Sequence, residues 1–264
     1  MKTRIISAVV AMIIFIPMII LGGIPFTILT YAMATIALYE IYKMRNFSLF
    51  TGHGMISILL LWIILLPTKY VDVLPFSKLG KYEFVAIAAL IYLAYTVIVK
   101  NKINFDDVGF SFISVMYIGI GFHFIVETRM VGLIYILYAL TIVWVTDSGA
   151  YFVGRAMGKN KLWPEISPNK TIEGFIGGII SALIAAVLYK FITHMSIPLG
   201  TLLILTTVLS IFGQLGDLVE SAIKRHYNVK DSGNIMPGHG GILDRCDSWL
   251  FVLPLLHLLY LMHL

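Results

Sequence analysis

Nine long apolar stretches occupy most of this chain, and they dictate the solvent in which it can fold. They cover residues 5–22, 25–42, 54–67, 83–99, 108–126, 131–149, 172–192, 199–217 and 248–263 of a 264-residue sequence. A helix crossing the hydrocarbon of a bilayer takes about 20 apolar residues. Backbone polar groups find no water there, so continuous runs of this length form helices and not open strands. Barrel strands would instead alternate in polarity over about 10 residues. Charged residues make up only 12% of the chain and hydrophobic ones 59%. A soluble domain carries roughly 25% charged residues, so a single aqueous core cannot hide this much apolar surface. The expected fold class is an all-α, polytopic integral membrane protein with about nine transmembrane helices. Breakers separate the stretches: Gly22 to Pro25, Pro67, Asn101 to Asn104, Pro164, Pro168, and Pro198 to Gly200. The third stretch is short, which is compatible with a tilted or re-entrant segment. The first follows Lys2 and Arg4 as a signal peptide would, but no small-x-small cleavage site comes after it, so it is read as a retained helix.

Orientation follows from the basic residues. With the N-terminus in the cytoplasm, 14 of the 19 Lys and Arg residues fall on the cytoplasmic side. These include Lys43, Arg45, Lys100, Lys102, Arg155, Lys159, Lys161, Lys170, Lys224, Arg225, Lys230 and Arg245. Lys69, Lys78, Lys81, Arg129 and Lys190 fall opposite, and the group around Lys78 fits the bias least well. This asymmetry matches the positive-inside rule. The formal net charge of +5 resides at helix ends and not in a stripe, so no nucleic-acid partner is expected. Cys246 is the single cysteine. It allows no intramolecular disulfide and no thiolate metal cluster, and it is read as a packing residue.

Polarity is lopsided along the chain. The sequence is read as a single membrane domain, 1–264, whose spans within 1–140 are mainly structural. Residues 141–264 hold the chemistry, because polar residues crowd into 144–174 and 214–248. Asp217 ends one apolar stretch, and Asp244 and Asp247 begin another. A carboxylate at membrane depth costs about 2.5–3.5 kcal/mol on insertion scales, so it usually lines a polar cavity or has a partner. Asp244 and Asp247 are three apart, on one face of a helix that starts near Leu243. With Asp217 they offer an all-oxygen donor set suited to Mg²⁺. The run Pro237-Gly238-His239-Gly240-Gly241 lets backbone N–H groups approach a phosphate closely. Beside Lys224, Arg225, Lys230 and Arg245 it reads as a site for a metal-bound polyphosphate.

Plainer readings stand beside these. Asp244, Arg245 and Asp247 also fit a helix N-terminus with charge pairing. His239 also fits a loop residue with no role, and Lys224-Arg225 an interfacial anchor. Ser167, Lys170 and Glu173 before an apolar run also fit a capped helix start.

The run Ser221-x-Ile223-Lys224-Arg225, Lys230-Asp231-x-Gly233 and Pro237-x-His239-Gly240-Gly241-x-x-Asp244-Arg245-x-Asp247 resembles the signature of the bacterial phosphatidate cytidylyltransferases, or CDP-diacylglycerol synthases. It lies within 221–247. Met236 and Cys246 depart from the family's preferred residues, apolar for apolar. A second stretch, Asp147-Ser148-Gly149-Ala150-Tyr151-x-x-Gly154, resembles the family's Asp-x-x-Ala-Tyr-x-x-Gly segment. Ser167-Pro168-Asn169-Lys170-Thr171-x-Glu173-Gly174 resembles its Ser-Pro-Lys-Lys-Thr-x-Glu-Gly segment, with Asn169 in place of the first Lys.

The resemblance implies transfer of CMP from CTP to phosphatidate, giving CDP-diacylglycerol and pyrophosphate for phospholipid synthesis. It implies Mg²⁺ on Asp217, Asp244 and Asp247, with a second cation as an option. Lys224, Arg225, His239 and Arg245 join Asp244 as catalytic candidates. Asp147, Ser148, Tyr151, Ser167, Lys170, Ser221, Lys230, Asp231, Gly240 and Gly241 are the substrate-binding candidates. The implied setting is the inner (cytoplasmic) membrane with the site facing the cytoplasm, and a homodimer is an admissible assembly. Two other classes compete. A CTP-using lipid kinase would put label from the γ-phosphate into lipid, and a cation-coupled transporter would show two symmetric halves with broken helices.

Overall fold

A computed structural model describes residues 2–71 and 80–260. Lys78 and the end of the ninth apolar stretch lie outside the described residues. The elements in chain order are α1 (Lys2–Leu21), α2 (Gly23–Met44), α3 (Gly52–Leu65), α4 (Thr68–Val71), α5 (Lys81–Ile98), α6 (Phe105–Val131), α7 (Leu133–Met157), β1 (Lys161–Trp163), β2 (Ser167–Thr171), α8 (Ile172–Thr193), α9 (Leu199–His226), α10 (Leu243–Cys246) and α11 (Trp249–Leu259). Six of them, α2 and α5 through α9, are long and apolar enough to cross a membrane, and Val9–Leu21, α3 and α11 are shorter apolar helices. The protein is therefore an α-helical, multi-pass membrane protein. The 14 residues of α3 reach about 21 Å at 1.5 Å per residue, short of a ~30 Å hydrocarbon core.

Two features depart from the reading of the sequence. A small antiparallel hairpin pairs Lys161 with Thr171 and Trp163 with Ser167, so Ser167 lies in a strand and does not start a helix. The cap falls four residues later, where the Thr171 side chain accepts from the Gly174 N–H. The helices also overrun the apolar stretches. α7 continues through Asp147 to Met157, and α9 continues through Asp217 to His226. Leu218, Glu220, Ala222, Lys224 and Arg225 are good helix formers, and no Pro or Gly interrupts 217–226.

The chain forms two compact units, residues 1–127 with 231–243, and residues 128–230 with 244–264. In the first, Tyr42 of α2 stacks on His53 of α3 at 5.8 Å between ring centroids. Arg45 pairs with Asp107 at 2.5 Å and lies over the rings of Phe47 and Phe110. A Cβ on Gly119 of α6 would sit 3.1 Å from Ile64 of α3. Gly22 and Gly23 both adopt positive φ between α1 and α2, a conformation that side chains resist.

In the second unit α7 and α8 pack at very short range. Gly174, Gly178, Ala182 and Ala186 recur every four residues along the buried side of α8. A Cβ added to Gly174 would lie 2.7 Å from the Ala150 carbonyl, and one on Gly178 would lie 2.9 Å from the Thr146 carbonyl. Lipid supplies no hydrophobic drive between helices, so close backbone approach through small residues and interhelical hydrogen bonds holds them. Thr146 donates to Ser210 of α9 at 3.0 Å, and Tyr138 shares a 2.7 Å hydrogen bond with Thr206. Gln214 donates from Nε2 to the Phe175 carbonyl at 3.3 Å. Gly216 lets α9 approach the turn after α10, since a Cβ there would lie 2.8 Å from the Asp247 carbonyl.

Candidate functional site

The extended end of α9 organises the charged centre of the second unit. Asp217, Glu220, Ser221 and Lys224 stand at i, i+3, i+4 and i+7, the spacing that puts side chains on one helix face. Asp217 is met by the hairpin, where Lys170 Nζ lies 2.7 Å from its Oδ2. Ser221 donates to Asp217 Oδ1 at 3.4 Å. One turn on, Lys224 bridges two carboxylates, 2.5 Å from Glu220 Oε2 and 2.7 Å from Asp244 Oδ1. The Glu220 side chain is 1% exposed and that of Asp244 is 5% exposed. The other Glu220 oxygen, Oε1, is buried without a hydrogen-bond partner. Arg225 reaches back to the hairpin, donating from Nε to the Ile166 carbonyl at 3.3 Å.

Asp244 and Asp247 both lie near Lys224, and only Asp244 pairs with it directly. A helix begins at Leu243, the start assumed for a shared face of Asp244 and Asp247, but it ends after one turn at Cys246. Asp244 turns to Lys224. The Asp247 carboxyl is partly covered, and loss of water around it pushes its pKa up to about 7. The charge of Asp217 adds to that rise, and the charge of Asp147 adds further. Three carboxylates from α7, α9 and the α10–α11 turn therefore repel one another. Asp147, Ser148 and Tyr151 are exposed on α7, and Arg155 donates to the Tyr151 hydroxyl at 3.3 Å.

The donor set is hard oxygen throughout, which fits Mg²⁺. Among the described residues, no three His, Cys, Asp or Glu side chains form a ready metal cage. The ammonium groups of Lys170 and Lys224 sit on Asp217 and Asp244, and their charge offsets part of the repulsion a cation would relieve.

The glycine-rich segment belongs to the first unit. Met236 and Gly240 form an isolated bridge, and positive φ at Gly238 and Gly240 closes the turn. His239 Nδ1 lies 2.8 Å from the Ser7 hydroxyl. The N–H groups of Ile242 and Leu243, at the start of α10, donate to the carboxylate of Glu40. Lys230, Asp231 and Arg245 are exposed. Cys246 is fully buried, in keeping with a packing role.

Two residues escaped the sequence reading. Glu220 lies inside the run from 213 to 225 and shares the face of Asp217 and Lys224, so its helical spacing was the available signal. Glu40 sits alone in an apolar stretch, 202 positions from Ile242, and only its cost at membrane depth hinted at a partner.

The chain matches the family model described as the cytidylyltransferase family over residues 2–263. It is 53% identical over 262 residues to the phosphatidate cytidylyltransferase of Bacillus subtilis strain 168, covering 98% of this chain and 97% of that one. It is 51% identical over 259 residues to the phosphatidate cytidylyltransferase of Staphylococcus haemolyticus, covering 98% of each chain. The protein of the same name from Staphylococcus saprophyticus is 49% identical over 262 residues, with 98% of each chain covered. With the match extending from the first helix through α11, and with the charged face of α9 in place, the chain belongs to the cytidylyltransferase family.

Proposed function

We propose that the protein transfers CMP from CTP to phosphatidate. A phosphate oxygen of phosphatidate attacks the α-phosphorus of CTP and forms the new P–O bond. The bond from that phosphorus to the bridging oxygen breaks, and pyrophosphate leaves with its electron pair. The observation that carries this reading is 53% identity across nearly the full length of a phosphatidate cytidylyltransferase. The packed charges of α9, α10 and the hairpin support it.

Such a reaction needs alignment and charge neutralisation more than a covalent nucleophile. Asp217, Asp244 and Asp247 would hold Mg²⁺, with Asp147 adding negative charge beside them. When bound, the ion supplies positive charge against the triphosphate. Lys170 and Lys224 are held by carboxylates and so keep their ammonium groups at fixed positions. Arg225 and Arg245 offer forked contacts to phosphate oxygens that lysine cannot make. His239 presents an imidazole at the tip of the glycine-rich turn. Asp147, Ser148 and Tyr151 serve the nucleotide side. The acyl chains of the lipid stay in the bilayer while its head group enters.

The topology we infer has nine crossings, the short helices such as α3 being accommodated by local thinning of the bilayer, and a cytoplasmic N-terminus, since basic residues favour that side. CTP does not cross membranes, so its site opens to the cytosol. The test is product analysis with purified protein, phosphatidate, Mg²⁺ and CTP labelled at the α-phosphate. Label is expected in CDP-diacylglycerol. Lipid labelled only when the γ-phosphate carries the label would overturn the reading in favour of a lipid kinase.

A further inference from the structure

We propose that Glu40 is a positioning residue that holds the glycine-rich loop in the shape used for CTP; this rests on the nucleotidyl-transfer reading above. Glu40 is 1% exposed, near the end of α2. Its Oε1 accepts the Ile242 N–H at 2.9 Å, and its Oε2 accepts the Leu243 N–H at 2.9 Å. Oε2 also accepts the Ser232 hydroxyl at 3.2 Å. One carboxylate thus ties down both ends of the segment that carries His239, and Asp244 follows Leu243 directly in the chain. A buried carboxylate is tolerated only when donors satisfy it, and these are such donors.

The same geometry accounts for two of the glycines. A Cβ on Gly233 would lie 2.5 Å from Glu40 Oε1, and one on Gly241 would lie 2.4 Å from either carboxylate oxygen and 2.2 Å from the Ser232 hydroxyl. Their lack of a side chain is required by the approach of Glu40, with no phosphate needed to explain it. The Ile242 and Leu243 N–H groups are already taken by Glu40, so they are not free to hold a phosphate. Side chains such as His239 are left to make the anion contacts of the loop.

The test combines hydrogen exchange with CTP kinetics on the purified full chain. Glu40→Gln keeps the side-chain size but turns one acceptor into a donor. Peptides covering 231–243 should then exchange faster, with no comparable change in α7 to α9. The KM for CTP should rise about 10- to 100-fold, the equivalent of one lost charge-assisted hydrogen bond, while the KM for phosphatidate stays unchanged. A residue that only stabilised the fold would reduce the amount of active protein and leave both KM values alone. Unaltered loop exchange, an unaltered KM for CTP, or faster exchange throughout the chain would overturn the proposal. Should Glu40→Gln fail to accumulate, Ser232→Ala removes a single neutral donor. It should raise the KM for CTP about 2- to 10-fold, and no rise would equally overturn the proposal. An unsubstituted protein that forms no CDP-diacylglycerol would instead sink the reading on which this inference rests.

Discussion

Lys224 places one positive charge between two nearly buried carboxylates, and replacing it with Met tests whether the structure has the charge balance right. Lys224→Met keeps most of the aliphatic stem and removes the ammonium. Glu220, 1% exposed, and Asp244, 5% exposed, would then face each other with no lysine between them. Removing one partner of a buried ion pair costs about 3–5 kcal/mol, because the charge left behind has lost its water and gained nothing. Asp244→Asn should behave otherwise. It removes the Asp244 charge and leaves Lys224 in contact with Glu220 at 2.5 Å, so about 1.5–3 kcal/mol is at stake, the value of one charged hydrogen bond. Both variants should lose CDP-diacylglycerol formation, but for different reasons. Thermal unfolding in detergent, read beside turnover of α-labelled CTP, separates them. Lys224→Met should unfold well below the unsubstituted protein, and Asp244→Asn between the two. If Asp244→Asn unfolds at or below Lys224→Met, or turns over at nearly the normal rate, the assignment of charges is wrong.

The other predictions concern topology, packing and metal. Lys159 is exposed in the loop before the hairpin, so Lys159→Cys should resist impermeant thiol reagents in intact cells and react in inverted vesicles, with buried Cys246 silent in both; labelling from outside refutes the orientation. Gly178→Val should lower the yield of folded protein sharply, because its Cβ would press on the Thr146 carbonyl at 2.9 Å and overpacking costs about 1–3 kcal/mol or more; normal yield in size-exclusion chromatography would contradict the close α7–α8 contact. The carboxyl of Asp247 is raised from 3.8 to about 7, so the metal-free fold binds an extra proton and loses stability as pH rises through that window. Mg²⁺ should compete with this proton, and its thermal stabilisation should therefore grow as pH passes about 7; stabilisation independent of pH would remove Asp247 from the metal site.

Much of the site was legible because helical spacing is local. Asp217, Ser221 and Lys224 are marked by residue type alone, and their common face follows once α9 continues through His226. The hairpin was not legible. Ser167-Pro168-Asn169-Lys170 carries the residues of a helix cap, and only the pairing with 161–163 draws it into a strand that delivers Lys170 to Asp217. The partners of the acidic residues were hidden for a similar reason. Asp244 takes the direct contact with Lys224, while Asp247 feels Asp217 and Asp147 as well as Lys224, an arrangement that spacing alone does not give.

What the sequence determined alone is the solvent and the helical class, since an apolar run longer than a bilayer core can satisfy its backbone in no other way. It also determined the family, through residues whose order is fixed along the chain. Which oxygens meet which ammonium groups was decided only by tertiary structure. Glu40 shows why: a carboxylate in an apolar helix must find donors, and nothing in the local sequence says which. Those it uses lie about 200 positions away, on a loop that only the folded chain brings to it.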